Sequence, residues 1–187
     1  RDLRTVDEPR CRKEFDCALT WVERIFGKEA FKRFQVGDAN NPTGHWINRR
    51  QDLLYEVETV GFALFGDALE SVWSGLAAPQ RQLFASALRS RFVDVMVTDQ
   101  FWQTLVQNTT RPDYVHRRFE LWNSVPETVL HNPGGAAERA AMLHQKLRQS
   151  SVCVRCPQQV APDDAVLVAV DGGQGVAHRF CRRNQQH

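Results

Sequence analysis

Apolar residues recur at helical spacing through most of the first 131 positions. From about Pro9, the residues Phe15, Leu19, Val22 and Phe26 predict one buried helix face. Cys11 lies one turn before Phe15 and is expected in the core, whereas Cys17 falls off the stripe. Gly27 interrupts this helix, and a short apolar turn with Phe31 and Phe34 follows. Gly37 to Ile47 reads as a loop, because Asn-Pro and Thr-Gly are turn chemistry. Asn48 is then expected to cap a helix that buries Leu53, Leu54, Val57, Val60, Gly61 and Leu64. Gly66-Asp67 is expected to break it briefly before Leu69, Val72 and Trp73. Pro79 suits the first turn of the next helix, with Leu83, Leu88, Phe92 and Val95 facing the core. Thr98 and Asp99 cap a further segment with Phe101, Trp102, Leu105 and Val106.

After a loop at Asn108 to Pro112, the stretch Tyr114 to His131 predicts a helix with Val115, Phe119 and Trp122 on one face. Pro126 is expected to bend or end it. His131-Asn132-Pro133-Gly134-Gly135 is the strongest break in the chain, and an Ala-rich helix follows it. The expected organisation is a helical domain over residues 1–131, a connecting loop and helix over 132–150, and a small module over 151–187.

That last module changes the chemistry. It holds three of the five cysteines, as Cys153-x-x-Cys156 and then His178-x-x-Cys181. Two short-spaced pairs separated by a Gly-rich, hairpin-like segment suit a closed tetrahedral zinc site of the Cys₃His type. The plainer alternatives are a reduced cysteine cluster, or one disulfide with a spare thiol. The predicted fold class is therefore mainly α, a helical bundle followed by a small ββα treble-clef-like zinc module.

Composition adds bounds. The 187 residues are 42% hydrophobic and 25% charged, which is ordinary for a globular protein. A net charge of +2 does not by itself announce a nucleic-acid binder. No apolar run reaches the length of a membrane span, so no membrane partner is expected. The chain starts at Arg1 rather than Met and is expected to be a piece of a longer protein. The odd cysteine count argues against a secreted disulfide scaffold and fits a reducing cytoplasm.

Charge becomes informative locally. From Glu138 onward, seven Arg and Lys face four acids. Arg179, Arg182 and Arg183 cluster at the second ligand pair, and Arg155 lies inside the first. Basic residues on a small rigid module suit phosphate contacts, so DNA is the expected partner. The arginines could also simply offset the negative charge of three thiolates. His45 and Trp46 beside Asn48-Arg49-Arg50 admit stacking on nucleic acid. The plainer and preferred reading is that Trp46 anchors the loop and the arginines are solvated.

Several motifs also carry a resemblance. Phe26 to Phe31 (FGKEAF), Trp46-Ile47-Asn48 with Leu53-Leu54-Tyr55-Glu56, and Phe101 to Trp122 (FWQTLVQNTTRPDYVHRRFELW) resemble the helical region of GmrSD-type restriction proteins. The segment with these motifs, Phe26 to Trp122, spans about half of the chain. The family's catalytic domain has a ParB-like nuclease fold and lies N-terminal to that region, and none of its motifs is matched here. The resemblance thus implies a DNA-recognition or regulatory role beside the protein's own N-terminal catalytic domain. Docking or oligomerisation, with a possible homo-oligomer, is the alternative.

The tail resembles the end of an HNH nuclease module, which opens with a pair like Cys153/Cys156 and closes with a phrase like Ala177 to Asn184. An active HNH centre needs a strand histidine to activate water. Between Cys156 and His178 there is none, and Asp163, Asp164 and Asp171 are the only acids. The resemblance therefore implies a structural Zn²⁺ and no catalytic residues, with a metal-dependent DNA endonuclease as the third reading. His116 one turn before Glu120 reads as surface charge.

Overall fold

The computed structural model describes residues 7–36, 44–107, 109–132, 135, 142, 145, 159–160, 165–170 and 173–178, the last two segments as backbone apart from the side chain of Ala177. The described architecture is mainly helical. In order, the elements are α1 (Glu8–Phe26), a single 3₁₀ turn (Gly27–Glu29), β1 (Lys32–Gln35), β2 (His45–Arg50), α2 (Asp52–Ser74), α3 (Ala78–Met96), α4 (Asp99–Val106), α5 (Pro112–His131), β3 (Ala165–Val170) and β4 (Gly173–His178). No described helix is long and apolar enough to cross a membrane.

Local chemistry sets the helix starts. The Asp7 carboxylate accepts from the Arg10 backbone N–H at 3.3 Å, with Pro9 in the first turn of α1. The Thr98 hydroxyl accepts from the Phe101 N–H at 3.2 Å and caps α4 as expected. The α2 start differs from the expectation. Its N-cap is Gln51, not Asn48, because residues 45–50 are extended and pair with β1. The Gly37–Ile47 loop is therefore shorter at its C-terminal end than its turn residues suggested.

The core is aromatic. The Trp122 ring stacks on Phe92 at 4.3 Å and on Phe101 at 5.9 Å, and Phe62 meets Phe92 edge-on at 5.4 Å. Each such pair adds about 0.5–1.5 kcal/mol beyond area burial. Helix α1 packs along α2, and α5 closes the bundle against α2, α3 and α4.

Several phases along the chain differ from the sequence reading. In α1 the buried face is Ala18, Trp21, Val22, Ile25 and Phe26, while Phe15 is 41% exposed and Cys11 is exposed. Residues 7–16 are all exposed among the described residues, so apolar spacing there does not mean burial. In α2, Val60 and Leu64 are exposed, and Glu58, Thr59 and Phe62 take the inward positions.

Gly66 does not break α2. A Cβ there would lie 2.8 Å from Cys17 Sγ, and one at Gly61 would lie 2.6 Å from Trp122 Cδ1. These glycines permit close approach of α1 and α5 rather than a turn. Pro126 does not end α5, which continues to His131. Its ring is buried with Val125 and Val129, and that packing offsets the missing backbone donor.

Candidate metal centre and basic surface

The tail hairpin is the described part of the expected metal module. Strands β3 and β4 pair antiparallel over six positions, from Ala165↔His178 at the open end to Val170↔Gly173 at the turn. In the sequence two residues, Asp-Gly, a composition favoured in two-residue hairpins, separate Val170 of β3 from Gly173 of β4. The open end is where chain arrives from Cys156 and leaves toward Cys181. Of the expected ligands, His178 has its backbone at that end. Cys153, Cys156 and Cys181 lie outside the described residues, as do Arg155, Arg179, Arg182 and Arg183.

Among the described residues, no group of three or more His, Cys, Asp or Glu could hold a metal ion. Cys11 and Cys17 are free thiols. Burial, helped by Asp67 and Glu70, pushes the Cys17 thiol upward, which makes it a packing residue rather than a nucleophile. The Glu120 carboxylate, one turn after His116, accepts from Arg117 at 2.9 Å.

Two buried ionisable groups went unnoticed in the sequence. Arg118 is fully buried on α5. Its guanidinium donates to Glu56 Oε2 at 2.8 Å, to the Thr104 carbonyl at 3.0 Å and to the Thr109 carbonyl at 2.9 Å. It thus ties α2, α4 and the loop before α5 together. Burial lowers its pKa, and Glu56 opposes that shift. The signal for it was positional, since Arg118 stands one turn before Trp122 on the same stripe as Val125 and Val129.

Glu58 is the other. It is fully buried between Leu54 and Phe62 on the inward stripe of α2. Its Oε2 accepts from the Phe31 backbone N–H at 3.1 Å, while Oε1 has no partner among the described residues. Burial pushes its carboxyl well above the usual range, against the opposing effect of the Phe31 bond. Phe31 needs that bond, because it holds a left-handed φ of 63° that a non-glycine residue rarely adopts. The Phe31 carbonyl in turn accepts from Gln51 N–H at 2.9 Å. Glu58 therefore fixes the point where the β1–β2 hairpin leaves and rejoins the helices.

That hairpin is basic. Lys32 and Arg50 are Cα partners across it, and Arg49 and Arg50 are exposed. Trp46 is half-buried against Phe34 at 5.3 Å and Phe26 at 6.3 Å, so it anchors the hairpin as the plainer reading held. Arg89 of α3 covers the Trp46 ring at 5.4 Å, and Arg33 lies over the Trp102 ring at 3.3 Å.

Comparison with protein families, curated proteins and solved structures gave no match.

Proposed function

We propose that this chain is the DNA-recognition and regulatory part of a GmrSD-like restriction or anti-phage protein, with its catalytic centre on a separate N-terminal domain. It works in the reducing cytoplasm, where thiolates remain available for zinc. The observation that carries the reading is the β3–β4 hairpin, which in the sequence follows Cys156 and ends at His178. A treble-clef-like module has such a hairpin between its pairs. Cys153, Cys156, His178 and Cys181 would hold one structural zinc there, and the metal would supply folding energy to a segment too short for its own core. The donor set fits, since three thiolates and an imidazole make a closed site.

Arg179, Arg182, Arg183 and Arg155 would then face phosphate. No water-activating histidine stands on β3, whose sequence is Ala165-Val-Leu-Val-Ala-Val170, so this part recognises DNA without cutting it. Replacing Arg179, Arg182 and Arg183 by Ala should weaken duplex binding at constant zinc content. Unchanged binding would refute the reading. Nicking in Mg²⁺ that is lost on mutating Asp163, Asp164 or Asp171 would favour the nuclease instead.

A second reading has its own observation. Val60 and Leu64, one turn apart on α2, are 43% and 66% exposed and present an apolar strip. Docking of the N-terminal catalytic domain, or of a second copy, would cover it. A light-scattering mass above one chain, reduced by Leu64→Glu, would support that role.

A further inference from the structure

The arginines of the helical body divide into two groups. Arg10, Arg24, Arg111, Arg117 and Arg118 each pair with a carboxylate. Around the β1–β2 hairpin, Arg33, Arg49, Arg50 and Arg89 make no ion pair with any described residue. Arg12, Arg81 and Arg91 also lack one, but Arg81 donates to the Trp73 and Ser74 carbonyls, and Arg12 and Arg91 lie on α1 and α3. At the hairpin the cations come from three elements, β1, β2 and α3. Of the described acids at the base of the hairpin, Glu29 bonds Lys32 at 3.2 Å, Glu58 is buried and accepts from the Phe31 N–H, and Asp52 opens α2.

The register sets Lys32 directly opposite Arg50; Glu29 answers the Lys32 charge at 3.2 Å, and no ion pair among the described residues answers that of Arg50. Arg89 and Arg33 lie half-buried over the Trp46 and Trp102 rings, the Arg33 Nε being buried without a partner among the described residues. The exposed Arg49 and Arg50, which have no carboxylate partner among the described residues, carry guanidinium groups that match phosphate oxygens.

We infer that the β1–β2 hairpin and the adjoining Arg89 of α3 form a phosphate-binding surface that contacts the backbone of duplex DNA. This goes beyond the proposed function, since it puts a contact on the helical body and does not need the zinc module. Such contacts carry no base information. They strengthen binding through counterion release and position the chain on the duplex.

The test uses the whole zinc-loaded chain and a 20-base-pair duplex of arbitrary sequence, followed by fluorescence anisotropy between about 50 and 200 mM NaCl. Four proteins are compared: wild type, Arg49→Ala/Arg50→Ala, Arg49→Lys/Arg50→Lys, and the tail variant lacking Arg179, Arg182 and Arg183. Two phosphate contacts contribute about 1.8 to the slope of log affinity against log salt. The alanine pair should therefore lose about twelvefold less affinity across that salt range than wild type. The lysine pair should keep the wild-type slope. An alanine pair with the wild-type slope overturns the inference, even if the tail variant loses binding and the proposed function stands. A tail variant that binds normally, beside a flattened alanine pair, upholds the inference and refutes the tail's role. Equal loss in the lysine and alanine pairs shows that charge is not what matters and overturns it. Polyglutamate competing as well as DNA of equal charge does so too, in favour of an acidic protein partner.

Discussion

Replacing Glu58 by Gln isolates a buried acid whose protonation bears on folding. In the folded chain its carboxyl is held well above the ordinary value of 4.5, because burial penalises the anion. In the unfolded chain it ionises normally. The folded state therefore binds the proton more tightly, so stability is fully present below the unfolded value and is lost as pH rises toward the folded one. Wherever Glu58 is neutral when folded and ionised when unfolded, each pH unit removes about 1.4 kcal/mol. Gln keeps an oxygen for the Phe31 N–H and has no proton to lose. Urea unfolding of wild type and Glu58→Gln, from about pH 4.5 upward, checks this. Wild type should lose stability relative to the variant as pH rises, so the difference grows in favour of Gln. Ala at 58 removes the acceptor as well, leaves the strained Phe31 turn unsupported and costs about 2 kcal/mol or more at pH 5. Parallel pH profiles for wild type and Glu58→Gln would refute a buried, neutral Glu58.

Three further outcomes follow from the packing. Arg118→Ala should cost about 3 kcal/mol in denaturant unfolding, through lost packing and the stranded Thr104 carbonyl, since the freed Glu56 is 46% exposed and can be hydrated. Gly61→Ala should cost about 1–3 kcal/mol, because the new methyl meets the Trp122 ring rather than empty space; a melting temperature equal to wild type would contradict that approach. Chelation should abolish amide protection in the β3–β4 hairpin and leave α2 to α5 protected in hydrogen exchange, whereas global unfolding would show that the two parts fold as one.

How much of this was legible depends on what each residue contributes to a pattern. Phe92, Phe101 and Trp122 were readable because large apolar side chains at helical spacing reach a core that several helices share. Phe15 and Cys11 have the same spacing but are exposed among the described residues. Gly66 looked like a break because its closeness to Cys17 exists only in three dimensions. The β1–β2 hairpin was hidden by short strands, a register shift between Lys32 and Phe34, and polar residues in β2. Arg118 and Glu58 sit on buried stripes, yet a reading of apolar residues alone passes over them. The ligand spacing at Cys153, Cys156, His178 and Cys181 was legible at once, and the structure adds the hairpin between the pairs.

Zinc content is the most direct measurement. Elemental analysis of the purified chain, beside a Cys153→Ser/Cys156→Ser variant, should give about one zinc per wild-type chain and close to none in the variant. Well under one zinc in the wild type, or a Cys153–Cys156 disulfide in its place, would contradict the module on which the proposed DNA-recognition role stands.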